Sequence, residues 1–75
     1  LHGWDDPMVP PADVTALAEE LTAGGADWQI HGYGNTLHAF TNPEANAPDM
    51  GAMYQADADR RSWQAMENFL AEAFA

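Results

Sequence analysis

Two residues of this chain, Asp6 and His38, are of types that move protons, and each lies in a loop just after a stretch that reads as a β-strand. A carboxylate that reaches an imidazole fixes its tautomer and stabilises the imidazolium formed when the ring takes a proton. Such a pair supplies a base and its orienting acid, but no attacking atom. The chain has no Cys, and Ser62, its single Ser, falls in a helical stretch away from both loops. Residue type alone leaves His38 open between a general base and an ordinary loop histidine. His31 sits within a strand pattern and reads as a packed or solvated ring, and His2 as a strand-end ring with a local hydrogen bond. A metal site drawn from His2, Asp5, Asp6 and His38 has suitable donors but no H-x-x-x-H spacing. Asp57-Ala58-Asp59 lacks the glycine and glutamate of a calcium loop and reads as the start of a helix.

The elements that must position the pair follow from periodicity. Leu1 and His2 read as the end of a strand, followed by turn chemistry from Trp4 to Pro10. Val14, Leu17, Ala18 and Leu21 recur at i, i+3, i+4, i+7 and predict a helix over residues 11–23, opened by Pro10-Pro11 and stopped by Gly24-Gly25. Residues 27–33 alternate, with Trp28, Ile30 and Gly32 on one face and Gln29, His31 and Tyr33 on the other, which predicts a strand. Strand, helix and strand make a βαβ unit with parallel strands. Residues 34–56 show no period of either kind. Residues 57–74 predict a last helix whose stripe of Trp63, Met66, Leu70 and Ala73, widened by Phe69 and Phe74, packs on the sheet. Asp57 is placed to pair with Arg61 one turn on. Both loops leave the same edge of a parallel sheet, the carboxyl end where ligands bind in open α/β sheets, so Asp6 and His38 are able to meet.

Composition bounds the partners. The net charge is −10, from twelve acidic residues against two Arg and no Lys. Phosphate backbones and anionic lipid need clustered cations, so neither nucleic acid nor a membrane surface is expected as a partner. No apolar run approaches the roughly 20 residues of a membrane span. The acidic excess fits a self-repelling, well-solvated surface, and equally a salt-adapted one. At 47% apolar residues on 75 positions, with no Cys to staple them, the chain has more apolar surface than so short a core can bury. It is therefore expected to be a piece of a longer protein, covered by the remainder of its own polypeptide or by another copy against its strand edges.

Three stretches resemble the dienelactone hydrolase family of the α/β-hydrolase superfamily. Gly3-Trp4-Asp5-Asp6-Pro7-Met8-Val9-Pro10 is similar to the segment that carries the triad acid, with Asp6 and not Asp5 at the acid position. His38-Ala39-Phe40-Thr41-Asn42-Pro43-Glu44-Ala45-Asn46 resembles the histidine loop, with His38 at the base. Ala58-Asp59-Arg60-Arg61-Ser62-Trp63 and Phe69-Leu70 resemble the family's last helix. The resemblance implies an α/β fold, with residues 1–75 forming the C-terminal βαβ-α portion of an α/β-hydrolase domain. It also implies a cytoplasmic enzyme that cleaves lactones or simple carboxylic esters and needs no cofactor. The nucleophile, Cys or Ser, would stand in an upstream elbow, so this stretch alone is expected to be inactive. The order of acid before base agrees with the superfamily. A non-catalytic relative kept for binding or assembly is the alternative, and an independent small acidic interaction domain is a third. Relatives acting on dienelactone carry an arginine four residues after the histidine, where this chain has Asn42. An amide forgoes bidentate pairing with a carboxylate, which favours neutral esters or other lactones.

Overall fold

Pro10 is extended, at φ −68° and ψ 160°, and Pro11 occupies the first helical position, where its missing N–H is not needed. From there α1 runs over Pro11–Ala23, the range that the apolar spacing predicts. Asp13 places a negative charge in its first turn. Gly24 closes the helix and Gly25 turns the chain away at φ +73°, a conformation that favours glycine. The computed structural model describes residues 1–75, and its order of elements is β1 (His2–Gly3), α1, β2 (Gly32–Tyr33), β3 (Asn46–Ala47), a 3₁₀ turn (Pro48–Met50), β4 (Ala52–Met53) and α2 (Ala56–Ala73).

The strands β1 and β2 pair in parallel, with His2 opposite Gly32 and Gly3 opposite Tyr33. The His2 N–H donates to the His31 carbonyl at 2.8 Å, and the Trp4 N–H to that of Tyr33 at 2.8 Å. Strand pairing is thus shorter than the alternation over residues 27–33 predicts. Only His2 to Trp4 lie alongside, so Asp27 to Ile30 have no strand opposite them to bond. Ile30 and its two neighbours still face different ways. Ile30 lines a cleft with Val14 and Leu17 of α1, whereas Gln29 and His31 line another with Ala65, Met66 and Phe69 of α2. The two helices therefore flank opposite faces of the parallel pair, an α/β arrangement.

Residues 34–56 are more ordered than their lack of period predicts. β3 and β4 form an antiparallel hairpin, with Asn46 opposite Met53 and Ala47 opposite Ala52. Gly51 closes the intervening 3₁₀ turn at φ +85°. His38 adds a parallel bridge to Ala52. Two-residue strands are too short to reveal alternation, so this hairpin leaves no periodic trace.

The Gln55 side chain caps α2, accepting the Ala58 N–H at 3.0 Å, and Asp57 and Asp59 place negative charge in the first turn. Asp57 pairs with Arg60 at 3.0 Å rather than with Arg61; both groups are well exposed, so the pair contributes at most a few tenths of a kcal/mol. The expected stripe is met in part: Met66, Phe69 and Leu70 face Leu1, Gln29 and His31 across a cleft. Ala58 and Ser62 are the buried residues of α2, while Trp63 is 54% and Phe74 83% exposed. Ala58 and Ser62, each 1% exposed, are thus the most enclosed side chains of the helix. Tyr54 ties the helix start to the hairpin, its hydroxyl donating to Asp59 at 2.8 Å, and this bond holds the Tyr54 pKa above its ordinary 10.0.

Gly3 is the tightest point of the parallel pair. A Cβ there would lie 2.6 Å from the Leu37 carbonyl oxygen and 2.7 Å from that of Thr36, both backbone atoms that cannot rotate aside. Gly3→Ala in the full-length protein is expected to destabilise it by about 1–3 kcal/mol. Urea unfolding checks this, and a midpoint equal to that of the parent would show that the two loops do not approach as described.

Candidate active site

The acid loop is built around Asp6. Its N–H donates to the Gly3 carbonyl at 3.1 Å, and its own carbonyl accepts from Val9 at 3.4 Å. One carboxylate oxygen accepts the Met8 N–H at 2.8 Å, the turn that Asp forms with the backbone two residues on. The other lies 2.9 Å from Nδ1 of His38. The structure thus brings together the two residues singled out in the sequence, across 32 positions.

His38 is fixed through its backbone as well. Its N–H donates to the Gly51 carbonyl at 2.9 Å, and its carbonyl accepts the Met53 N–H at 3.1 Å. The next residue, Ala39, is held at φ +58°, a conformation that costs an L-residue about 1–2 kcal/mol and here turns the chain from His38 towards the buried Phe40. The ionised carboxylate is an acceptor only, so Nδ1 carries the shared proton and Nε2 is left as the basic nitrogen.

Burial divides the pair. Asp6 is 7% exposed, whereas the His38 side chain is 46% exposed. Burial alone pushes the Asp6 carboxyl up; the His38 hydrogen bond, the Met8 N–H and the charges of His38 and His2 outweigh it and hold the pKa below its ordinary 3.8. Both residues line a cleft of about 400 Å³ whose apolar wall includes Val14, Leu17, Ile30 and Phe40.

Other candidates fall elsewhere. Asp5 is exposed, and its N–H donates to Thr36 at 3.0 Å. Asn42 is exposed and does not line the cleft; its side-chain oxygen accepts the Glu44 N–H at 3.0 Å within its own loop. His31 bonds to Gln29 at 3.0 Å. His2 is buried with Nε2 unpartnered, and its ring meets Trp4 edge-on at 6.1 Å, in place of the local hydrogen bond expected from its strand-end position. Ser62 is buried and donates to the Asp59 carbonyl at 2.9 Å, a role internal to α2. His, Asp and Glu side chains nowhere gather in a group of three that would hold a metal. Met8 and Gly51 matter to the pair through backbone groups, which no side-chain pattern announces; Asp-Pro and the Gly after Pro48 mark only turns.

Residues 1–74 match the family model described as the dienelactone hydrolase family. An uncharacterized protein of Caenorhabditis elegans is 41% identical over 99% of this chain and 48% of its own length. The crystal structure of a dienelactone hydrolase-like promiscuous phosphotriesterase from metagenomic libraries is similar at a TM-score of 0.85 and 40% identity, over 95% of this chain and 30% of that one. The chain therefore spans about half the length of the curated relative and less of the solved one.

The depressed Asp6 pKa has a consequence for acid stability. Because the folded value lies below the ordinary 3.8, the unfolded chain binds the proton first as pH falls. The stabilisation is complete above the unfolded value and is lost as pH drops through the folded one. Asp6→Asn removes that increment. In urea titrations of the full-length protein between roughly pH 5 and pH 2, the parent should lose more stability than the variant. Equal losses would mean that the carboxylate is not held by its partners.

Proposed function

The chain belongs to the dienelactone hydrolase family, and we propose that in the whole protein Asp6 and His38 are the acid and base of a Cys- or Ser-His-Asp triad that cleaves lactones or simple carboxylic esters. The observation that carries this reading is the 2.9 Å contact between His38 Nδ1 and a buried Asp6 carboxylate. It supports a ring whose free Nε2 takes the proton of an attacking thiol or hydroxyl. The sulfur or oxygen then adds to the acyl carbon, His38 returns the proton to the departing alkoxide, and an acyl-enzyme remains. Water attacks next, with Nε2 accepting its proton, and the nucleophile leaves reprotonated from His38. Asp6 stays ionised throughout and stabilises each imidazolium.

This chain supplies no nucleophile to that scheme. It contains no Cys, and Ser62 is committed to the Asp59 carbonyl. The attacking residue is assigned to an elbow upstream in the whole protein, whose remaining segments, or another copy, would cover the apolar surface around Leu1 and Leu70. A cytoplasmic location belongs to the same proposal and rests on the family resemblance. No helix is long and apolar enough to cross a membrane. Neutral esters and lactones are the proposed substrates, a reading supported by the use of the Asn42 amide oxygen within its own loop and by a cleft that no Arg of this chain lines. Attack by the same nucleophile at phosphorus would extend the range to neutral phosphotriesters, the chemistry named for the solved relative.

His38→Gln in the full-length protein is expected to lower kcat on p-nitrophenyl acetate by on the order of 10⁴ while leaving the fold intact. Asp6→Asn should follow it, whereas Asp5→Asn should change turnover only a few-fold. Activity of His38→Gln within tenfold of the parent, or equal effects of the two Asp variants, would sink the assignment.

Selectivity gives a separate check. No marked preference for anionic lactones over neutral esters is expected. A kcat/KM for dienelactone more than roughly a hundredfold above that for neutral esters, some 2.7 kcal/mol of discrimination, would show that a cation reaches the substrate carboxylate from elsewhere.

A further inference from the structure

We propose that Gly51 is a positioning residue that sets the approach of His38 to Asp6, because it touches both loops at once. Its carbonyl accepts the His38 N–H at 2.9 Å. Its Cα faces the ring of Pro7, the residue after Asp6: a methyl added there would overlap Pro7 Cγ and lie 2.7 Å from Cδ. One residue thus spans from the peptide of the base to the ring beside the acid. Neither side can give way easily. Pro7 is flanked by the two peptide groups that hold the acid, since Met8 donates to the Asp6 carboxylate at 2.8 Å and Asp6 donates to Gly3 at 3.1 Å. On the other side, Gly51 closes the 3₁₀ turn through its N–H to Pro48 at 3.1 Å and is followed at once by β4.

Glycine is required at this position twice over. At φ +85° the backbone lies where side chains are disfavoured, and any Cβ would drive the hairpin and the acid loop apart. Because the Gly51 carbonyl holds the His38 N–H and Pro7 follows Asp6, that displacement would be felt at the 2.9 Å contact between the two side chains. Gly51 touches neither substrate nor a reacting atom in this scheme; it acts through His38 and Pro7. Its catalytic consequence rests on the proposed triad, but its effect on the Asp6–His38 bond does not.

The test uses the full-length protein as Gly51→Ala, Pro7→Ala and the double variant. Pro7 Cβ would lie 3.7 Å from the new methyl, an ordinary contact, so trimming the ring to alanine removes the overlap. Two readouts are followed: the far-downfield proton resonance of His38 Nδ1–H, which reports the bond to Asp6, and kcat and KM on p-nitrophenyl acetate. Gly51→Ala is expected to lose the resonance and about a hundredfold in kcat, the size of a misplacement near 1 Å, with KM little changed. Pro7→Ala should keep the resonance. The double variant should regain it, together with at least roughly tenfold in kcat, as coupled neighbours do. If Gly51→Ala does not fold, Gly51→Asn, a residue that tolerates positive φ, is compared with and without Pro7→Ala: a double variant more stable than its single parent supports the contact, and one no more stable overturns it. A resonance that persists in Gly51→Ala, or a double variant no better than the single one, also overturns it. Were the parent itself unable to cleave the ester while the resonance pattern held, the proposed function would fall and the positioning role would stand.

Discussion

Three backbone N–H groups, those of His2, Trp4 and Asp5, hold the two loops of this chain side by side. They donate in turn to His31, Tyr33 and Thr36 at 2.8, 2.8 and 3.0 Å. The first two belong to the parallel ladder; the third lies beyond it and continues the pairing into the loops. Because the strands are parallel, both chains leave at one edge, and everything that Asp6 and His38 do together depends on that. Gly3 marks how close the approach is, with Leu37 and Thr36 carbonyls where its side chain would stand. The buried Thr36, whose hydroxyl donates to Gly34 at 2.9 Å, turns the second loop back across the first.

A buried carboxylate is costly unless its lone pairs are used. Asp6 meets this with the Met8 N–H on one oxygen and His38 on the other. The same two contacts orient it, so the condition for burial and the condition for directing an imidazole are one condition. His38 is held differently, by backbone hydrogen bonds to Gly51 and Met53, which leaves its ring to Asp6 alone. The small hairpin is therefore part of the site, although none of its side chains reaches the pair.

How much of this the sequence disclosed depended on the length of each signal. The helix over Pro11–Ala23 was legible because about two turns of apolar spacing and the Pro and Gly breakers on either side agree on its limits. The alternation gives opposite facing for Ile30 and its neighbours Gln29 and His31 but overstates the ladder, since pairing depends on a neighbour that alternation does not report. The α2 stripe gives Met66, Phe69 and Leu70 their side but not the close packing, which falls to Ala58 and Ser62, because large residues dominate a hydrophobic stripe. The pairing of Asp6 with His38 was readable from topology and resemblance. The supports supplied by Met8 and Gly51 were not, because they are backbone groups and one absent Cβ.

The contrast in burial within the pair bears on why each residue sits where it does. In the proposed triad the acid stays ionised while imidazolium forms, and it would gain from a site where the attraction is little screened by water, as Asp6 has at 7% exposure. A base must be met by other groups, and His38 at 46% exposure leaves its far nitrogen to them. Were His38 to follow β2 directly, its ring would leave along the strand, away from Asp6. Instead the chain spends Gly34 and Asn35, the latter at φ +53°, on a turn that brings residues 36–38 back over the acid loop. Asn tolerates that conformation better than most residues. The bend at Ala39 then carries the chain down to Phe40, whose ring packs 5.8 Å from that of Tyr33. His38 is thereby the crest of a loop anchored on both sides, its ring half exposed and bonded to Asp6, the disposition that the proposed transfer of a proton between a nucleophile and this ring would require.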